Sequence, residues 1–377
     1  MALAAFTFAT GTSAREIAEG LDPSKASTWQ LPGADLYGVA AIGDSAWAVG
    51  YWGTALHSED FGKTWAPSGT PTEATLFGVS FADPQHGWAV GERGTILRSD
   101  DGGKTWTPQS ATVADPAGGG DRPLDTHLFG ISAVSPSEAW AVGDLGVVLH
   151  TTDAGASWVS SPIPPESFAD ENFPERILNA VRFTDPQHGW ITGEFATTLR
   201  TTDGGATWVG QRKLVDTAED LYLFDLSAQT EGRAAATGLA GGVLLTSDGG
   251  STWEPHTAPT AAGLFGVAWS GSNGIVIGDR GEMFLTLDDG ATWQRPERPK
   301  LFNWIRSVTF ADHNHAYAVG ERGLVLASED GGLHWTQERG QTPTPRAGVS
   351  VPEPGRSTEP GRKNLPPAAG QEPAKAP

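Results

Sequence analysis

One peptide returns seven times along this chain: Ser or Thr, a spacer, Asp, a Gly two residues on, and a Trp five residues after the Asp. The copies run Ser58 to Trp65, Ser99 to Trp106, Thr151 to Trp158, Thr201 to Trp208, Thr246 to Trp253, Thr286 to Trp293 and Ser328 to Trp335. A strand-like run ending in Gly precedes each, such as Trp88-Ala89-Val90-Gly91. From that Gly (Gly50, Gly91, Gly143, Gly193, Gly238, Gly278, Gly320) to the Asp (Asp60, Asp101, Asp153, Asp203, Asp248, Asp288, Asp330) is ten residues in every copy. A spacing held through seven copies is that of a fixed hairpin. The repeat period of 40 to 52 residues marks a closed or stacked array, and overrides the two or three domains that 377 residues would otherwise suggest.

Each unit reads as four short strands. In the second unit these are Leu76 to Phe81, Trp88 to Gly91, Thr95 to Arg98 and a strand around Trp106, joined by a turn at Asp83 to Gly87, a tight corner at Glu92-Arg93-Gly94 and the Asp-containing turn. β-Branched residues, alternation and Gly/Asp/Pro punctuation support strands, and no stretch holds a helical period over three turns. Seven such units predict an all-β, seven-bladed β-propeller with four-stranded blades, spanning residues 28 to 340. A ring leaves only short strand edges exposed. The seven repeat tryptophans are expected to fill the layers between blades. Trp29 resembles an eighth outer strand that could pair with the last blade, although Trp335 already supplies that blade's copy.

The flanks differ. Residues 1 to 27 begin with the apolar Ala2 to Ala9 and the small residues Gly11 to Ala14, without a basic start, and read as a signal-like remnant or a plain disordered segment. Residues 341 to 377 hold nine prolines and almost no bulky apolar residue, the composition of a disordered, extended tail. The net charge of −20 argues against a nucleic-acid partner, because phosphate binding needs a basic face. Cysteine is absent, so there is no thiolate metal site or disulfide framework. No apolar run approaches the ~20 residues of a membrane span.

In each repeat the Asp is suited to accept hydrogen bonds from turn amides while Gly supplies the unusual backbone angles. The seven aspartates are therefore read as structural. One carboxylate per turn, on splayed blades, does not make a calcium site. Histidines 86, 188, 313 and 315 fall in first-to-second-strand turns of blades 2, 4 and 7, so no metal site and no cofactor is expected.

Ser/Thr-x-Asp-x-Gly-x-Thr-Trp resembles the Asp-box (BNR) repeat of sialidases and other propellers. The longer unit from Asp83 to Trp106, with Ala89-Val90-Gly91-Glu92-Arg93-Gly94-Thr95-Ile96-Leu97 and Asp101-Gly102-Gly103-Lys104-Thr105-Trp106 joined, is similar to the photosystem II stability/assembly factor family of cyanobacteria and chloroplasts and its bacterial relatives. The resemblance covers about residues 28 to 340. It implies a propeller that binds a membrane-protein client through an arginine-rich face, without catalysis. A soluble, periplasmic or secreted monomer is expected, in a thylakoid-lumen-like compartment if the source is photosynthetic.

In a propeller, the second-to-third-strand corners share one face with the inter-blade connections. The corners of blades 6, 7, 1 and 2 are contiguous and carry Arg280, Arg322, the pair Tyr51 and Trp52, and Arg93. Arginine and aromatics are the usual interface anchors, and guanidinium suits an acidic or C-terminal carboxylate segment of a client. Trp304 and Arg306 extend this candidate patch. The alternative is that each Arg pairs with a neighbouring acid and only holds its corner. Longer connections at 107 to 127 and 159 to 177 lie on the same face. Two other functions compete with the assembly factor. One is a sialidase-like glycoside hydrolase, for which Tyr51 is the tyrosine placed on the face. The other is a periplasmic accessory protein of another bacterial membrane complex.

Overall fold

The second strand of every repeat is buried beyond its first residue, and from end to end in Gly87–Gly91, Gly189–Gly193 and Ala316–Gly320. Such a strand must be covered on both faces, and the ring does this with a neighbouring blade on each side. A computed structural model of the protein describes residues 33–114, 121–161, 163–164, 176–211, 222–230 and 232–340. The chain falls into two units, Met1–Pro343 and Thr344–Pro377, and every described residue belongs to the first. Trp29, the signal-like segment and the proline-rich tail lie outside the described residues.

The first unit is a seven-bladed β-propeller. Each blade is an antiparallel meander whose strands pair in chain order. Blade 1 runs through Leu36–Ile42, Ser45–Gly50, Ala55–Ser58 and Ala66–Pro67; blade 2 through Leu76–Phe81, Gly87–Gly91, Ile96–Ser99 and Thr107–Gln109. In blade 6 the fourth strand shrinks to a single bridge between Leu285 and Gln294. Among the described residues helix is confined to three-residue 3-10 turns at the corners, such as Glu92–Gly94.

Seven buried clusters, one between each pair of adjacent blades, make up the core. The Asp-box tryptophan of one blade enters the cluster shared with the preceding blade. Trp106 packs with Trp47 and Phe81, Trp158 with Trp88, Trp208 with Trp140, and Trp335 with Ile275 and Leu285. Trp65 and Trp293 do the same but stay partly exposed. Burying such rings is the main stabilising contribution available to an almost all-strand chain.

The glycine that ends each second strand is explained by close approach rather than by backbone angle. At Gly50, Gly91 and Gly143 the chain is extended, and a methyl group there would lie 2.0 Å or less from the carbonyl oxygen of Asp35, Thr75 and His127 respectively. No side chain fits between the corner and the incoming first strand.

Ring closure needs no shared strand. All four strands of blade 7 come from one continuous stretch, Ile305–Phe310, Ala316–Gly320, Val325–Ser328 and Thr336–Arg339. Blade 7 meets blade 1 by packing, with Tyr317, Val319 and Val325 against Leu36, Ala48 and Leu56. The Val39 amide donates to Ser307 Oγ across the seam at 3.3 Å. Both described ends lie at one corner, Gly33 and Gly340 each against Gly323.

One departure concerns the connection at 107 to 127, read above as a loop. It contains an antiparallel ribbon, Thr112–Ala114 with Asp121–Pro123, and sends Ala111, Val113 and Leu124 into the cluster between blades 2 and 3.

Candidate functional site

The two faces of the ring are fixed by backbone hydrogen bonds. On one face each Asp-box turn donates an amide to the first-to-second-strand turn of its own blade, as Gly102 to Gln85 O and Gly331 to Asn314 O, both within 3.0 Å. On the other face the corners bond to the inter-blade connections, as Gly94 N to Thr126 O at 2.7 Å and Gly53 N to Ala74 O at 3.0 Å.

The Asp-box carboxylates are consumed where they stand. Asp101 accepts from Ser99 Oγ at 2.9 Å, from the Thr105 amide at 2.9 Å and from Thr105 Oγ1 at 2.6 Å, while Ser99 Oγ accepts from the Gly103 amide at 2.8 Å. The pattern repeats in every blade, with His334 in the Thr position of blade 7. The hydroxyl of Ser157, with its amide and the Thr151 hydroxyl, holds the Asp153 carboxyl down at about 2. The other six are also held below the usual range, Asp203 and Asp288 first by the Thr207 and Thr292 hydroxyls. Three of the turn histidines, His86, His188 and His315, each bond the aspartate three residues before them. Among the described residues no group of three His, Asp or Glu is placed to hold a metal ion, and no helix is long and apolar enough to cross a membrane.

At the corners the middle residue stands at positive φ, with its side chain directed away from the sheet. These residues are Trp52, Arg93, Leu145, Phe195, Ala240, Arg280 and Arg322. The three arginines are 76, 85 and 52% exposed in the order Arg93, Arg280, Arg322. Each has an acid beside it: Arg93 Nε bonds Asp125 at 2.9 Å, Arg280 lies 3.4 Å from Asp279, and Arg322 3.5 Å from Glu321. Both readings made from sequence thus meet at the same residues. Exposed pairs of this kind contribute little, about 0–1 kcal/mol, so a better carboxylate can displace them. The partner of Arg93 is not Glu92 of its own corner, which instead accepts from the Thr75 amide at 2.9 Å.

Tyr51 and Trp52 are partly exposed, with ring centroids 6.1 Å apart. Trp304 and Arg306 do not continue the outer ring of corners. Trp304 stacks on Tyr37 at 5.6 Å. Arg306 points into the central channel and donates to Phe265 O at 2.7 Å, and burial pushes its guanidinium down.

Sequence reasoning missed a collar of rings at the channel mouth. The second residue of six first strands lines the channel, Tyr37, Phe77, Phe129, Asn179, Phe224 and Arg306, and its counterpart in blade 6, Phe265, packs against Phe224. Neighbouring rings touch, Tyr37 to Phe77 at 5.7 Å, Phe77 to Phe129 at 5.4 Å and Phe224 to Phe265 at 5.6 Å. The signal was present as an aromatic after the Leu that opens most first strands. Its meaning depended on which strand lines the channel. Tyr37 is thus a second tyrosine on this face beside Tyr51. Burial and the Asp35 carboxylate push its phenol up, the opposite of what a tyrosine nucleophile needs.

One family model matches the chain. The profile described as photosynthesis system II assembly factor YCF48 matches residues 67–167 and 170–256. This span includes Arg93 but not Tyr51, Trp52, Arg280 or Arg322. A curated relative, the chloroplastic photosystem II stability/assembly factor HCF136 of Arabidopsis thaliana, is 24% identical over 225 residues. That match covers 56% of each protein, so the chain spans little more than half the length of this relative. A solved structure of YCF48 bound to D1 peptide is 25% identical, with a TM-score of 0.55 over 71% of this chain and 82% of that one. YCF48 from Cyanidioschyzon merolae is 18% identical, with a TM-score of 0.63 over 80% and 97%. The family 74 xyloglucanase of Xanthomonas campestris shares the fold, at 14% identity and a TM-score of 0.63 over 83% of this chain and 55% of that one.

Proposed function

From a chain that belongs to the photosystem II stability/assembly factor-like family of Asp-box β-propellers, we propose a non-catalytic assembly factor that holds a membrane-protein client by its corner face. The observation that carries this reading is the contrast in side-chain use. The Asp-box turns consume their polar groups internally, whereas the corners of blades 6, 7, 1 and 2 project Arg280, Arg322, Tyr51, Trp52 and Arg93 into solvent.

The client segment we propose is an acidic stretch or a C-terminal carboxylate. A relative solved with D1 peptide bound supports a peptide ligand for this architecture. Guanidinium groups bind carboxylates with charge-assisted, often bidentate bonds, and rings at the channel mouth take the apolar part of the segment. Because each arginine already has an acid beside it, the face is not a strongly positive field. Geometry and ring contact must supply much of the affinity, with a modest weakening by salt. We place the protein in the periplasm or outside the cell as a monomer, or in a lumenal compartment if its source is photosynthetic.

The test is recovery of client from detergent-solubilised membranes by wild type and by an Arg93→Glu/Arg280→Glu/Arg322→Glu variant of equal melting temperature. The variant should recover much less. Equal recovery would remove this patch and turn attention to the connections at 107 to 127 and 159 to 177. A hydrolase would declare itself by turnover of a sialoside or xyloglucan; none is expected.

A further inference from the structure

The second strands carry a column of large residues at one register position, and the rings are missing from it in blades 5 and 6; in blade 6 Ile275 itself fills the place, against Gly332 of the next Asp-box. The residues are Trp47, Trp88, Trp140, Trp190, Ala235, Ile275 and Tyr317 in blades 1 to 7, each paired with the equivalent residue of the third strand. Where the residue is Trp, it has a built slot. Trp47, Trp140 and Trp190 lie against a glycine of the next Asp-box, Gly103, Gly205 and Gly250. On two of them a ring from the following blade stacks, Phe81 on Trp47 at 3.6 Å and Phe183 on Trp140 at 5.3 Å. From the third strand a cation or imidazole covers the other side: Arg98 over Trp88 at 4.3 Å, His150 on Trp140 at 3.8 Å, Arg200 over Trp190 at 5.2 Å.

Blade 5 lacks the ring, and Leu245 of its third strand reaches the glycine of the next Asp-box, Gly290, leaving the rest of the place open as a cleft. Ala235 takes the tryptophan position and Leu245 the cation position. The next blade still presents its stacking ring. Trp269 pairs with Gly274 as Phe81 pairs with Gly87 and Phe183 with Gly189. It meets the Asp-box Trp293 edge-on at 5.9 Å, as Phe81 meets Trp106 and Phe183 meets Trp208. Between the blades lies a cleft of about 340 Å³, lined by Ala235, Leu245, His256 and Trp269 and opening on the Asp-box face. The ion pair of Arg233 with Asp289 stands at its rim.

We propose that this cleft is a receptor for a tryptophan side chain presented by a partner polypeptide. The partner's indole takes the place that blades 1 to 4 fill themselves, stacked on Trp269, while Arg233 and Asp289 offer a donor and an acceptor to the flanking backbone. The site is on the opposite face from the arginine corners and does not depend on them.

The probe is a capped pentapeptide with a central tryptophan, titrated against the full-length protein labelled with 15N and followed by the indole N–H signals, with Trp269 assigned through a Trp269→Phe variant. The Trp269 and Trp293 signals should move saturably, and the same peptide with a central leucine should bind roughly tenfold more weakly, from the worth of an aromatic pair. Ala235→Trp, which restores the internal ring, should abolish binding and raise the melting temperature. Should that variant misfold, Leu245→Arg, the residue type of blades 2 and 4, should tighten binding a few-fold by placing a cation over the ring. An unmoved Trp269 signal at saturating peptide, unchanged affinity in the folded Ala235→Trp protein or in Leu245→Arg, or free tryptophan binding as tightly as the peptide would overturn the proposal, the last by pointing to a small-molecule site.

Discussion

The ring's two faces carry seven turns each, and they use their side chains in opposite ways. On the Asp-box face the hydroxyl, the carboxylate and the Trp are all bound inward, so the sequence there is nearly constant. On the corner face, backbone bonds close the turn, as in Thr95 N to Glu92 O at 3.0 Å and Gly91 N to Thr95 O at 3.0 Å, and the side chain of the middle residue takes no part in them. The middle residue is therefore free to be Trp, Arg, Leu, Phe or Ala, although a left-handed conformation costs such a residue roughly 1–2 kcal/mol. Constancy follows from internal use of side chains. Variability marks the places where the fold does not need them.

Acid should separate the faces most sharply. The seven Asp-box carboxyls have folded values below the ordinary one of about 3.9. Their contribution to stability is complete above that value and is lost as pH falls through the folded values, about 2 for Asp153. Melting temperature followed by circular dichroism should be level from neutrality to about pH 5 and fall steeply between about pH 4 and 2. A protein as stable at about pH 2 as at neutrality would deny the turns their structural role. His334, raised by the Asp330 carboxylate beside it, acts with the opposite sign, its contribution fading as pH climbs past its raised value.

A single turn gives the next largest effect. Asp101→Ala removes three accepted hydrogen bonds and should lower stability by ~1–2 kcal/mol in urea melts, leaving client capture by the folded fraction intact. Loss of capture at unchanged stability would reverse the assignment of the faces. The triple arginine variant should do the converse, with stability altered by no more than about 0.5 kcal/mol, since its ion pairs are exposed. The smallest effect is a gain. Leu145→Gly relieves a left-handed residue that is 54% exposed, and should stabilise by up to about 1 kcal/mol once the greater chain entropy of glycine is set against it. A loss there would mean that the Leu145 side chain supports its corner after all.

How much of this was legible in the sequence depended on whether a feature repeats. Blades, corners and the Trp layers recur seven times, and each copy corrects the reading of the others. Features made by one blade acting on another left weaker traces. Trp304 and Arg306 read from sequence as opening the first strand of blade 7 and so as an extension of the corner patch, but as the second residue of an innermost strand Arg306 faces the channel. The ribbon at Thr112–Ala114 and Asp121–Pro123 is too short for alternation to separate it from loop. Asp125 as the partner of Arg93 came from 32 residues away. The small residue at Ala235 follows four tryptophans at the same position of blades 1 to 4, but only the register identified that position.

Each blade is whole in sequence, and the two described ends meet at Gly323. No seam of the ring is therefore privileged by strand exchange. A short linker from Gly340 back to Gly33 would make the ring endless, and new ends could then be opened at any inter-blade connection without dividing a sheet. The protein is in that sense a bracelet with seven equivalent clasps, whose chain order can be rotated while its architecture stays the same.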